Sequence, residues 1–209
     1  LKMGKLKKIS WSIVVTFTVI AVLLTGCGSS GNSSDKPMKW DKMPEMSINL
    51  NKQYSAKFTT SKGDFTVKLY AAESPVTVNN FVFLAKSGYY DGLTFNSIIE
   101  SFMIQGGDPK GNGTGNPGYS IPDEFDTSNK FEPGVVAMMN SGKPNSGGSQ
   151  FFICTGPDAV NLNQTPTYSI FGKVDSGMET VMNIAKTPVN DKHVPKEKVI
   201  INSITILES

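Results

Sequence analysis

The chain has no arginine: all twenty of its basic residues are lysine. Any site it builds works without the planar, five-donor guanidinium that grips oxygen anions in a fork. Histidine is nearly as scarce. His193 is the single example, in Asn190-Asp191-Lys192-His193, where an exposed loop residue is the ordinary expectation. That argues against histidine-ligated metal catalysis and against a serine–histidine hydrolase, since nothing sets His193 beside a nucleophile. Tryptophan occurs twice, at Trp11 and Trp40, and cysteine twice, at Cys27 and Cys154. Basic clusters are missing after residue 26, which speaks against a nucleic-acid partner. There is no internal repeat, and no two-lobed pattern of the kind a solute-binding protein would show.

What is present begins with a targeting pattern. Lys2, Lys5, Lys7 and Lys8 form a charged head, and Trp11 to Leu24 is almost wholly apolar. That run is short for a spanning helix, which needs about 20 apolar residues, and suits a signal peptide over residues 1–26. It ends in Leu24-Thr25-Gly26-Cys27, which resembles the lipobox of bacterial lipoproteins and implies Cys27 as the lipidated first residue of a mature, membrane-anchored protein on the extracytoplasmic face. An ordinary signal peptide followed by a chance cysteine is the other reading. Without residues 1–26, sixteen lysines face eighteen carboxylates, a formal charge of −2, so the basic balance belongs to the leader. If Cys27 carries lipid, Cys154 has no disulfide partner. In the apolar run Phe151-Phe152-Ile153-Cys154 it is expected as a buried free thiol.

Residues 27–52 are rich in Gly, Ser, Asn, Lys and Pro without a sustained period, and are expected as a flexible tether. One folded domain is expected over 53–209. Tyr54–Thr60 and Asp64–Tyr70 read as a hairpin around Ser61-Lys62-Gly63, with Phe65, Val67 and Leu69 alternating against polar neighbours. A helix follows, with Ser74 as N-cap, Pro75 at the first position and Gly88 past the end; Val78, Phe81, Val82 and Ala85 share a face. Leu93–Ile99, Phe102–Ile104, Gly134–Asn140, Gln150–Thr155, Tyr168–Val174 and Val199–Leu207 read as strands, the last with Ile200, Ile204 and Ile206 on one side. Gly177–Lys186 reads as a second helix with Met178, Val181, Met182 and Ala185 on its apolar face. Gly113-Thr114-Gly115-Asn116-Pro117-Gly118 matches a dinucleotide fingerprint by letter only, because no helix pattern follows and Pro117 removes an amide donor.

The chemistry concentrates in Thr94–Asp108. Two short apolar runs flank Glu100-Ser101, and the second reaches Gln105 before a Gly-Gly stop. Phe102, Met103 and Gln105 supply an aromatic wall, a pliable thioether and an amide. That set suits a small apolar ring with a carbonyl beside it. Asn140 and Gly148-Ser149-Gln150-Phe151-Phe152-Ile153 repeat the same chemistry later.

Phe-x-x-Ile-Ile-x-x-Phe-Met-Ile-Gln-Gly-Gly-Asp over 95–108, Gly-Ser-Gln-Phe-Phe-Ile over 148–153 and Phe-Gly-Lys-Val over 171–174 together resemble the cyclophilin-type peptidyl-prolyl isomerases, from about Tyr54 to Leu207. The resemblance implies a mainly β fold, a closed antiparallel barrel capped by two α-helices, acting as a monomer. It implies isomerisation of Xaa-Pro bonds in exported proteins, which needs no metal or cofactor because no bond is broken. Phe102, Met103, Phe152, Leu162 and Tyr168 would form the ring pocket. Gln105 would hold the substrate backbone, and Met139, Asn140 and Gln150 would line the amino side of the proline. The family's catalytic arginine falls at Ser97. The resemblance therefore also allows a runner-up: a binder of proline-containing segments with little turnover. Lys143 stands as an extra residue in the 141–145 loop, and Asn96 and Tyr168 replace more usual histidines.

Overall fold

The computed structural model describes residues 38–125 and 128–209. The leader, Cys27 and the first part of the tether lie outside the described residues. Eight antiparallel strands form one curled sheet: β1 Tyr54–Thr60, β2 Gly63–Leu69, β3 Ser97–Ile99, β4 Met103–Gly106, β5 Val135–Met138, β6 Phe151–Cys154, β7 Ile170–Ser176 and β8 Ile201–Glu208. Their order is β3-β4-β6-β5-β7-β2-β1-β8. The fold is mainly β, as the sequence led us to expect, and the sheet has two end strands, β3 and β8. Backbone bonds from Gly92 and Phe95 to the carbonyls of Ile201 and Val199, and from Ile201 to Leu93, link the chain before β3 to the start of β8.

Most strands differ from their expected spans by a few residues, and for three of them the local reason is visible. The first hairpin turns on Ser61-Lys62 alone, and Gly63 already pairs with Thr60 at φ +120°, a conformation only glycine enters freely. The run 93–99 is strand only from Ser97, because its first residues bond to the β8 side instead. In β8 a register irregularity opposite Thr59 and Thr60 switches the buried face, so Val199 and Ile201 are buried with Ile204 while Ile200 is only half-buried.

Helix α1 spans Pro75–Lys86 and packs against β8, and α2 spans Met178–Ala185 and packs against β2. In α2 the buried face uses Ile184 where Met182 was expected. α1 buries Val78, Phe81, Val82 and Ala85 as expected, with Phe81 set among Phe58, Tyr90, Phe151 and Phe171. It also buries Thr77, Asn79 and Asn80, each with a partner from elsewhere. Ser74 does not cap the helix with its side chain. Its hydroxyl donates to the Ile170 carbonyl, and the Glu124 carboxylate instead accepts from the Val76 and Thr77 amides at 3.0 and 2.8 Å.

The described part of the expected tether differs most. Residues 38–52 hold no helix or strand, yet they lie on the domain and belong to the same compact unit. Trp40 packs edge-on to Phe83 at 5.2 Å and tilted on Tyr89 at 5.8 Å, and Ile48 is buried in the core. Asn79 of α1 accepts from the amides of Ser47 and Ile48 and donates to the Glu45 carbonyl. An aromatic anchor and a single amide clamp hold a segment whose composition alone suggests freedom.

Candidate active site

Side chains directly opposite each other on neighbouring strands share a face of the sheet. Ser97 on β3 pairs with Gln105 on β4, Gln105 with Phe152 on β6, and Phe152 with Ala137 on β5. One row therefore carries Ser97, Gln105, Phe152 and Ala137 on one face. The row one residue along, Ile98, Ile104, Ile153 and Val136, points the other way and is buried in the main core. The strand register sorts the apolar core from the candidate site.

On the site face a second, smaller apolar cluster forms. Met103, Phe131, Ala137, Phe152 and Cys154 are buried in it, with Phe102, Met139, Leu162 and Tyr168 half-buried against it. Phe152 is its floor: Tyr168 meets it edge-on at 5.3 Å and 84°, Phe131 stacks on it at 6.4 Å, and Phe102 lies tilted at 6.5 Å. Leu162 arrives on a 3₁₀ helix, Pro157–Gln164, absent from the sequence reading. The five residues expected to form a ring pocket are thus brought together. Phe131 was missed; an aromatic in Lys130-Phe131-Glu132-Pro133 offers no periodic signal.

Beside this cluster lies a cavity of about 470 Å³ lined in part by Gln105, Gly113, Gly115, Tyr119, Met139, Asn140 and Gln150. Gln105 Nε2 donates to Gln150 Oε1 at 2.9 Å, and Gln150 Nε2 donates to the Gly115 and Gly113 carbonyls at 2.8 and 3.2 Å. Asn140 Nδ2 donates to the Thr167 carbonyl at 2.7 Å, which fixes the start of the 141–146 loop. The glycine-rich stretch 113–118 is a cavity wall followed by no helix, so its fingerprint carries no dinucleotide meaning.

The wall is held by Asp108. One carboxylate oxygen accepts from the Lys110 and Gly115 amides at 2.8 and 2.9 Å, and the other from the Asn112 and Gly113 amides. Asp108 is buried, and its two oxygens wind residues 110–115 around themselves. Gly107 makes this possible: its φ is +82°, and a Cβ there would meet the Ser149 carbonyl oxygen at 2.3 Å.

Lys143 lies outside this arrangement. It is exposed and lines a separate concavity of about 230 Å³ with Asn140, Pro144, Thr167 and Tyr168. Ser97 is half-buried beside Gln105. Cys154 is a buried free thiol, and burial pushes its pKa up to about 12.

The sequence model described as "Cyclophilin type peptidyl-prolyl cis-trans isomerase/CLD" matches residues 55–206. Peptidyl-prolyl cis-trans isomerase B of Streptomyces anulatus is 40% identical over 176 residues, covering 75% of this chain and 98% of its own length. Peptidyl-prolyl cis-trans isomerase A of Mycobacterium tuberculosis is 41% identical over 170 residues, covering 73% and 91%. Among solved structures, a cyclophilin-type isomerase of Cryptosporidium parvum superimposes with a TM-score of 0.70 at 34% identity, covering 74% of this chain and 98% of its own. The same protein in the presence of the dipeptide Ala-Pro gives 0.69 at 36%, covering 73% and 98%.

Proposed function

The chain belongs to the cyclophilin-type peptidyl-prolyl cis-trans isomerase family, and from that membership we propose how its groove carries out the family's reaction. It is a peptidyl-prolyl cis-trans isomerase. Rotation about the Xaa-Pro bond meets a barrier of about 18–20 kcal/mol set by amide resonance. The twisted state loses that resonance and its nitrogen becomes more basic. A site helps by gripping the ring, orienting the neighbouring carbonyl and donating to the nitrogen.

The observation that carries this reading is the row of Gln105 and Phe152, with Phe152 the floor of a cluster that holds Phe102, Met103, Leu162 and Tyr168. The ring enters that cluster, Gln105 binds the peptide backbone, and Met139, Asn140 and Gln150 take the residues ahead of the proline. The ligand class matches the Ala-Pro dipeptide used with the Cryptosporidium parvum structure. The donor to nitrogen is the weak part. A serine hydroxyl at position 97 cannot span an arginine's reach, and losing one preorganised donor costs about 2.7–4 kcal/mol, or roughly 10²–10³ in rate. We therefore assign slow turnover with intact binding. Ser97 is also what favours the second reading, a binder of proline-containing segments.

The leader and Leu24-Thr25-Gly26-Cys27 support a lipid-anchored enzyme on the extracytoplasmic face, acting on exported proteins. The test of the groove is kcat/KM on an Xaa-Pro peptide together with its Kd, for the wild type and for Gln105→Ala and Phe102→Ala. Both substitutions should weaken binding and turnover together. Isomerisation unaffected by either would remove the activity from this groove.

A further inference from the structure

The family match begins at residue 55, yet the residues just before it touch a wall of the groove. The Trp40 amide donates to the Pro117 carbonyl at 2.9 Å. Gly118 sits at φ +101°, and a Cβ there would meet the Trp40 carbonyl oxygen at 2.3 Å, so strap and loop run backbone against backbone. Pro117 and Gly118 lie between Asn116 and Tyr119, both of which line the cavity of about 470 Å³ beside the ring cluster. The Trp40 indole is seated on Phe83 and Tyr89. Five residues on, Asn79 clamps Glu45, Ser47 and Ile48.

The next residue on α1, Asn80, faces the groove instead. Its Nδ2 donates to the Gly148 carbonyl at 2.7 Å, and its Oδ1 accepts from the Tyr119 hydroxyl at 2.7 Å. Consecutive asparagines thus hold the strap on one side and the cavity wall on the other. The 116–119 loop is caught between them. None of these contacts reaches Phe102, Phe152 or Tyr168, so the strap bears on one part of the site and not the other.

We propose that Trp40 is a positioning residue for substrate. Seated on α1, it fixes the 116–119 wall and sets the affinity of the cavity for residues lying ahead of the Xaa-Pro pair. This rests on the groove reading given above.

The test uses the full chain and two probes: the dipeptide Ala-Pro, and a peptide with two further residues ahead of the same pair. Trp40→Ala should weaken binding of the extended peptide by roughly fivefold, the size of coupling that contact networks carry, and leave the dipeptide unchanged. Trp40→Phe, which keeps a ring on Phe83, should restore most of the loss. Asn79→Ala, which loosens the strap from a different point, should repeat the pattern. Equal weakening of both probes would mark a merely structural role and overturn the proposal, as would no change in either. If Trp40→Ala does not fold, the wild-type residue serves as its own reporter. In a Trp11→Phe chain, Trp40 is the sole indole, and its emission should shift with the extended peptide and not with the dipeptide; no shift with either overturns the proposal. A wild type that binds neither probe sinks the groove reading itself, and the proposal with it.

Discussion

Ser97 stands one strand from Gln105 and two from Phe152, on the face where a donor to the proline nitrogen belongs. Ser97→Arg should raise kcat/KM, by up to roughly 10²-fold if the guanidinium is well supported and less if its surroundings leave it loose. Comparing kcat/KM for both proteins, with peptide Kd measured separately, checks this; a wild type already fast and indifferent to the change would mean another group donates. Cys154 makes a second residue-scale claim. With its folded pKa raised to about 12, the unfolded chain loses this proton first as pH rises from about 9, so the unfolded state binds fewer protons and stability falls with pH between about 9 and 12. Urea midpoints across that window should decline less steeply in Cys154→Ala than in wild type. The same thiol should resist alkylation at pH 8 until the protein unfolds. Phe102, Gln105 and Phe152 were legible in the sequence because short apolar runs hold them and the family motif names them. Phe131 and Tyr119 were not, because nothing local to either residue says which strand or helix it will meet.

At the scale of elements, the groove depends on turns and helix ends tied by distant side chains. Asp108 satisfies four backbone amides in the 110–115 loop, which in turn receives Gln150 and through it Gln105. Asp108→Ala leaves those donors without an acceptor, at about 1–3 kcal/mol for each that water cannot reach. Thermal unfolding should come earlier and extended peptides should bind more weakly; an unchanged midpoint would contradict the assignment. Glu124 plays the matching part for α1. Glu124→Ala should cost about 1–2 kcal/mol, the usual magnitude of a lost cap with its charge at a helix N-terminus, read as a lower denaturant midpoint. Ser74 was legible as the N-cap position and holds it, but its side chain does not do the capping. Its hydroxyl sits next to Ile170 in the folded chain, a proximity set by the sheet and not by the residues around it.

Across the whole molecule, the strand count, both helices and the site stretches were readable from period and motif, whereas the strap over 38–52 was not. Its composition reads as freedom, and it is held by Trp40 on Phe83 and by one asparagine thirty-odd residues away. The proposed anchor belongs to this scale as well: Cys27→Ala should release the protein from the membrane or leave it unprocessed, and a wild-type mass and membrane fraction unaltered by the substitution would remove the lipobox reading. The measurement that bears most directly on the account is exchange NMR of the full-length wild type with an Xaa-Pro peptide, following the cis and trans resonances as protein is added. The account predicts a saturable site that accelerates cis–trans exchange above the uncatalysed rate, yet more slowly than the same chain carrying Ser97→Arg. Saturable binding with exchange no faster than in free peptide would contradict it, and would make the groove a binding surface alone.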